Sequence, residues 1–205
     1  MAWSEPVSTL SPPSKRGVAD LDFLDLVYET LTTAGDDGVI EPGLAESWSA
    51  EDGQVWRFTL RPGLRFADGS PITTADVVRS WSSLGKQPAS TPFVPLLEEI
   101  DGMKELISGT ALSVRGLEAV DARTFVVRLL RPLAAFPAVV SRADYGITGL
   151  AASSGQTLAS GRWKVESGNP GDSTLVLSRS GSGGPDGVDT LILRVVPLGK
   201  LGDRF

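Results

Sequence analysis

Residues 42 to 78 read PGLAESWSAEDGQVWRFTLRPGLRFADGSPITTADVV, and this stretch decides the fold. Leu44, Trp48, Val55, Trp56, Phe58 and Leu60 fall in extended runs on either side of Glu51-Asp52-Gly53-Gln54. The pattern predicts a β-hairpin, because Asp-Gly supplies the positive φ that a tight turn needs. In Trp56-Arg57-Phe58-Thr59-Leu60 large apolar side chains alternate with polar ones, so one face of the strand is buried and the other wet. Arg61-Pro62-Gly63 stops the strand and Asp68-Gly69-Ser70-Pro71 makes a second turn. Thr73-x-x-Asp76 then has the form of a capping box that opens a helix. Trp48, Trp56, Phe58, Val77 and Trp81 are expected to share a core with Phe125 and Val127. Asp68-Gly69 is expected to act as a turn, with Asp68 accepting backbone N–H bonds rather than serving a metal or catalytic site.

Toward the N-terminus, Asp20 to Leu31 reads as a helix with Leu24, Val27, Tyr28 and Leu31 on one stripe, and Asp20 or Asp22 as its cap. Gly35-Asp36-Asp37-Gly38 is a turn. Toward the C-terminus, the helix from Thr74 to Leu84 is followed by a breaker-rich loop, then by a second helical stretch over Phe93 to Ile107, broken near Gly102. Glu98, Glu99, Asp101 and Glu105 lie off its apolar stripe and read as a solvated face rather than a pair of catalytic acids. A second hairpin starts at Val114 and closes through Thr124 to Leu129. Its Asp121-Ala122-Arg123-Thr124-Phe125-x-Val127 echoes Asp52-Gly53-Gln54-Val55-Trp56-x-Phe58, so the two hairpins are expected in one antiparallel sheet. A short helix over Leu133 to Val140 and strands at Thr174 to Leu177 and Val188 to Val196 complete the pattern. Gly181-Ser182-Gly183 lacks the third glycine and helix of a phosphate loop and reads as a linker.

A chain of 205 residues can bury an ample core in one large or two small domains. With 41% hydrophobic and 21% charged residues it is ordinary for a globular protein, and no run approaches the ~18 apolar residues of a membrane-spanning helix. A net charge of −6 without a basic cluster argues against a nucleic-acid partner. The absence of histidine and cysteine excludes serine–histidine–acid and cysteine–histidine catalysis and any zinc site built on those residues. The opening MAWSEPVSTLSPP has neither a basic n-region nor an apolar h-region, so no signal peptide is expected within it.

Three runs carry a family resemblance: Pro42-Gly43-Leu44-Ala45-Glu46-Ser47-Trp48, Arg61-Pro62-Gly63-Leu64-Arg65-Phe66-Ala67-Asp68-Gly69, and Thr74-Ala75-Asp76-Val77. In order and spacing they resemble the signature region of the extracellular solute-binding proteins of the dipeptide, oligopeptide and nickel class, the receptors of ABC importers. Glu5-Pro6, Leu10 and Pro12 are similar to the family's opening loop at the rim of the ligand cleft, and Tyr28-Glu29-x-Leu31 to its tyrosine-glutamate-glycine-leucine. Where relatives carry a glycine-threonine-glycine-proline-tyrosine crossing, only Gly161 and the aromatic Trp163 remain. The resemblance implies an α/β fold: the N-terminal lobe of a clam-shell (type II) periplasmic-binding-protein-like fold, with a mixed, largely antiparallel sheet and flanking helices. Residues 1–40 and 160–205 are then the core sheet portion and 41–159 an inserted hairpin and helix subdomain, with the C-terminal lobe absent.

The implied function is non-enzymatic: the substrate-binding component, or a truncated piece of it, of an ABC-type peptide or small-solute importer, in the periplasm or outside the cell. Its expected ligand residues are Ser4, Glu5 and Thr9 of the rim loop with Tyr145 and Trp163 near the crossing, and no cofactor or metal is expected. Expected partners are a peptide or small polar solute, bound weakly by one lobe alone, and an ABC permease or the missing lobe. Any membrane association is expected only through a partner or a removed anchor. The alternative is a half-length relative acting as a structural or partner-binding subunit without uptake. A carboxylate-based hydrolase is a third, weaker reading.

Overall fold

The computed structural model describes residues 2–3, 5–8, 10, 18–86, 94–152, 154–180 and 188–195. In chain order the elements are β1 (Ala2–Trp3), α1 (Val18–Val27), β2 (Thr32–Ala34), β3 (Ile40–Pro42), β4 (Ala45–Ala50) and β5 (Val55–Leu60). Then come α2 (Thr74–Gly85), α3 (Val94–Leu97), α4 (Met103–Ile107), β6 (Leu117–Ala119), β7 (Thr124–Arg128) and α5 (Phe136–Val139). The short pair β8 (Gly149–Leu150) and β9 (Thr157–Leu158) follows, and β10 (Trp163–Ser167), β11 (Thr174–Arg179) and β12 (Thr190–Val195) end the series. Two four-stranded sheets hold eight of these strands, in the orders β1-β12-β11-β10 and β4-β5-β7-β6, while β2-β3 and β8-β9 form two-stranded pairs. The chain begins in the first sheet, builds the second, and returns.

The second sheet bears out the reading of the two hairpins. Strands β5 and β7 pair antiparallel with Trp56 opposite Val127 and Phe58 opposite Phe125. Each hairpin turns on an aspartate that caps its own loop. Asp52 Oδ1 accepts from the Gln54 and Val55 N–H groups, and Asp121 Oδ1 from those of Arg123 and Thr124. These bonds hold both carboxyls below the ordinary aspartate range. Arg123 then ties one hairpin to the other, donating to the Leu60 carbonyl and to Glu46 Oε1 at 2.9 and 2.7 Å.

Helix α2 opens as its sequence dictates. The Thr73 N–H and hydroxyl both donate to Asp76 Oδ2, at 2.8 and 2.9 Å. Its apolar face buries Val77 and Trp81 against Phe58, Phe125, Val127 and Phe136. Trp81 meets the Phe125 ring edge-on at 5.3 Å and donates its indole N–H to the Tyr145 carbonyl. Of the expected core, Trp48 alone is half-buried, because β4 is an edge strand of its sheet. Asp68 sits in the expected turn: its Oδ1 accepts from the Ser70 hydroxyl and N–H, and these bonds, the hydroxyl's first, hold the carboxyl below the ordinary aspartate range.

Other expectations need correction. The first helix ends at Val27 rather than Leu31. The carbonyls that would continue it are taken from outside: Val27 by the Gly161 N–H, Glu29 by Ile147, Thr30 by Leu44, and Leu31 by Gly43 and Ala45. Asp20 lies inside α1 instead of capping it, and its carboxylate accepts from the Ser8 N–H and hydroxyl at 2.6 and 2.7 Å. The second helical stretch is two short helices separated by a turn whose Gly102 has φ of 81°. The acids there pair with bases on the surface: Glu99 with Arg131, Asp101 and Glu105 with Arg115, Glu98 with Lys104. The linker at Gly181 to Pro185 lies outside the described residues.

Candidate ligand groove between the two sheets

The segments that carry the family resemblance meet at one place, where the second sheet abuts the returning chain. A cavity of about 640 Å³ is lined by Glu29, Arg61 to Ala67, Gly69, Ile72, Ser160 to Arg162 and Ser180. A second, of about 500 Å³, shares Glu29, Arg61 and Arg162 with it and adds Tyr28, Thr30, Pro42, Gly43 and Ser141 among others. The two form one groove with those three charged side chains along the shared wall.

Backbone crossings set the groove's floor. The Gly161 N–H donates to the Val27 carbonyl at 2.9 Å. A Cβ at Gly161 would stand 2.8 Å from that oxygen, so only glycine lets the chain cross the end of α1. Gly43 is tighter still: its Cβ would lie 2.5 Å from the Thr30 carbonyl oxygen. The Ala67 N–H donates to the Ala159 carbonyl and the Ser180 N–H to that of Arg162, which joins the loop after β5 to the first sheet.

Glu29 stands at the centre. Its N–H donates to Ser160 Oγ at 3.0 Å, and its carboxylate faces Arg61 at 3.5 Å. Burial holds the Glu29 carboxyl above the ordinary range, although Arg61 and then Arg162 pull the other way. Asp25, on the second cavity's wall, is raised too, first by burial and then by Asp22, against Arg142. Tyr28 is raised by burial alone, and its hydroxyl donates to the Leu10 carbonyl at 2.6 Å. That bond and the Ser8–Asp20 pair fasten the rim loop beside the groove.

The sign of the Glu29 shift makes a prediction. A carboxyl raised in the folded state contributes stability below its unfolded value of about 4.5, lost as pH rises through the folded value. At neutral pH the ionised side chain therefore works against the fold. Glu29→Gln should melt at an equal or higher temperature than the parent at pH 7, with the advantage vanishing near pH 4. A lower melting temperature at pH 7 would show that the Arg61 pairing outweighs burial.

Of the residues expected to touch ligand, Glu5 is exposed, while Ser4 and Thr9 lie outside the described residues. Tyr145 and Trp163 are not among the residues that line the groove. Tyr145 is 1% exposed and packs on Trp81 at 5.4 Å, its hydroxyl buried without a hydrogen-bond partner among the described residues. Trp163 is 7% exposed, faces the first sheet's core with Leu175 and Leu177, and carries the Arg179 guanidinium over its ring at 4.9 Å. Glu29, Arg61, Ser160 and Arg162, which line the groove, are not among the residues expected to touch ligand. The signal was present: each lies in or beside a run already matched to the family.

Residues 39–199 match the family described as "Bacterial extracellular solute-binding proteins, family 5 Middle". Among curated proteins, the chain is 35% identical over 132 residues to the periplasmic murein peptide-binding protein MppA of Escherichia coli K12, covering 63% of this chain and 24% of that protein. It is 32% identical to the periplasmic oligopeptide-binding protein OppA of the same organism, over 63% of this chain and 24% of that one. The chain thus spans about a quarter of the length of these relatives. Among solved structures, the unliganded open form of MppA superposes with a TM-score of 0.82 at 24% identity, covering 95% of this chain and 40% of that one. OppA of Haemophilus influenzae in complex with RPPGFSPFR gives 0.80 at 20% identity, over 95% and 41%. Both are periplasmic-binding-protein folds, and the α/β lobe described above is that fold's counterpart. The chain belongs to the bacterial extracellular solute-binding proteins of family 5.

Proposed function

We propose that this chain is the N-terminal lobe of a peptide-binding receptor for an ABC importer, working in the periplasm or outside the cell, and that it forms one wall of the ligand cleft without catalysing a reaction. Residues 41–159 act as a subdomain inserted into the sheet built by the flanking segments. The observation that carries this reading is the convergence of Tyr28-Glu29, Pro42-Gly43, Arg61 to Gly69 and Ser160 to Arg162 on one groove. Pockets that hold small ligands are concave, with a few convergent polar groups, and this groove has both features. Ser8 and Leu10 fasten the loop that the family resemblance sets at the cleft's rim, and its Ser4, Glu5 and Thr9 remain proposed ligand residues. The partners are a peptide, a second lobe that closes over it, and a permease.

One wall predicts weak binding. Small-ligand sites bury about 70–90% of the ligand surface, which takes two lobes. A closed receptor at about 1 μM has roughly −8 kcal/mol to divide, and half of that is about 1 mM. Titration of the ¹⁵N-labelled chain with tri- to pentapeptides, followed by amide shifts, should give dissociation constants between high micromolar and millimolar. The shifts should fall on Glu29, Gly43, Arg61, Gly63, Gly161 and Arg162. Shifts confined to other surfaces, or none at millimolar peptide, would favour a structural or partner-binding subunit. A sub-micromolar complex with the monomer by calorimetry would overturn the one-wall reading.

A further inference from the structure

The first cavity gathers positive charge on an acidic chain. The protein carries a formal net charge of −6, yet the charged side chains lining this cavity are Arg61, Arg65 and Arg162 against Glu29. The second cavity sets Asp25 and Glu29 against Arg61 and Arg162 and is balanced. An anion entering the groove is therefore drawn to the first.

The three guanidinium groups differ in what they already hold. Arg65 donates to the Gly69 carbonyl at 2.7 Å, and Arg61 faces Glu29 at 3.5 Å. Arg162 is exposed and, among the described residues, donates no hydrogen bond; its charge is felt by Glu29 across the groove. Two hydroxyls stand beside them. Ser160, 6% exposed, accepts the Glu29 N–H and keeps its own proton to donate. Ser180 Oγ is buried, has no hydrogen-bond partner among the described residues, and belongs to a residue lining the same cavity. A buried hydroxyl without a partner is uncommon in a settled structure and marks a place where a ligand can complete the bonding.

We propose that the first cavity is a carboxylate-recognition subsite, taking the anionic group of a peptide between Arg61 and Arg162 with Ser160 and Ser180 as hydroxyl donors, an inference that rests on the peptide-binding reading above. A planar carboxylate offers two oxygens to a guanidinium fork and accepts hydroxyl protons as well. An amide in its place is neutral and presents a single carbonyl oxygen, so it forgoes the charge-assisted, two-oxygen pairing with a guanidinium. The carboxylate comes either from the peptide's C-terminus or from an acidic side chain.

The ¹⁵N-labelled chain is titrated with N-acetyl-trialanine as the free acid, its C-terminal amide, and N-acetyl-Ala-Glu-Ala amide. At least one of the two anionic peptides should bind about tenfold tighter than the neutral amide, the scale of one charge-assisted hydrogen bond. Preference for the free acid assigns the subsite to the C-terminus, and preference for the glutamyl peptide to a side chain. Arg162→Gln, which removes an exposed side chain and should leave melting unchanged, is expected to bring the preferred anion down to the affinity that the same variant shows for the amide. Equal affinity for all three peptides, with shifts in the groove, would overturn the carboxylate subsite while peptide binding stood. Discrimination that survives Arg162→Gln would overturn it as well. Failure of every peptide to move the groove's amides would remove the peptide-binding reading itself.

Discussion

Trp81→Ala should lower the unfolding free energy by about 3–5 kcal/mol, the range for truncating a large core aromatic. Trp81 is fully buried and touches Phe125, Phe136 and Tyr145 with ring centroids 5.3 to 6.2 Å away. Its indole N–H also satisfies the Tyr145 carbonyl, so truncation leaves a cavity and an unmet acceptor together. The cavity cannot close easily, because its walls are two sheet strands and a capped helix. Trp56→Ala should act in the same direction, at the lower end of that range, since Trp56 is 8% exposed at the sheet's end. Denaturant titration checks both. A loss below about 1 kcal/mol at Trp81 would mean that α2 does not seat on the sheet as described.

Gly43→Ala should cost about 3 kcal/mol, the upper end of the range for overpacking. The added methyl would meet the Thr30 carbonyl oxygen at 2.5 Å and that of Leu31 at 3.0 Å, both backbone atoms that cannot swing away. The N–H groups of Gly43, Leu44 and Ala45 bond to those same two carbonyls, so moving the strand breaks the contacts that hold it. Gly38→Ala is the matched control. Gly38 has φ of 78° with open space around it, so the change there introduces strain alone, about 1 kcal/mol. Equal melting temperatures for the two variants would show that the crossing at Gly43 is looser than the distances state.

Much of the architecture was legible because its signals are local. The Asp-Gly turn at Asp52, its echo at Asp121 and the box at Thr73 each span a few residues, and each forms the bonds its sequence implies. That the two hairpins share one antiparallel sheet was legible in their common apolar alternation, and the β5–β7 pairing joins them. The groove was not. Glu29, Arg61 and Arg162 come from three distant segments, and only the crossing of Gly161 over the end of α1 brings them together. The same crossing explains the early end of α1. Around it, Arg162 is exposed and its neighbour Trp163 buried, so an aromatic beside the crossing faces the core and the charge beside it faces the groove. A sequence shows the adjacency but not which neighbour turns inward.

The pairing of β1 with β12 bears on how the chain assembles. Ala2 lies opposite Arg194 and Trp3 opposite Val195, in parallel register. Bringing such distant partners together carries a loop-closure entropy that grows with the intervening length, and parallel pairings of this kind form slowly. The β4-β5-β7-β6 sheet has no such requirement, since it is complete between Ala45 and Arg128 and holds Trp48, Trp56 and Trp81 in or against its core. During synthesis it can therefore be finished before β10, β11 and β12 exist as strands. The sheet that gathers the first and last described strands is then the late-forming part, and it closes the groove floor at Gly161 as it forms. On that order the groove is the last part of the lobe to take shape.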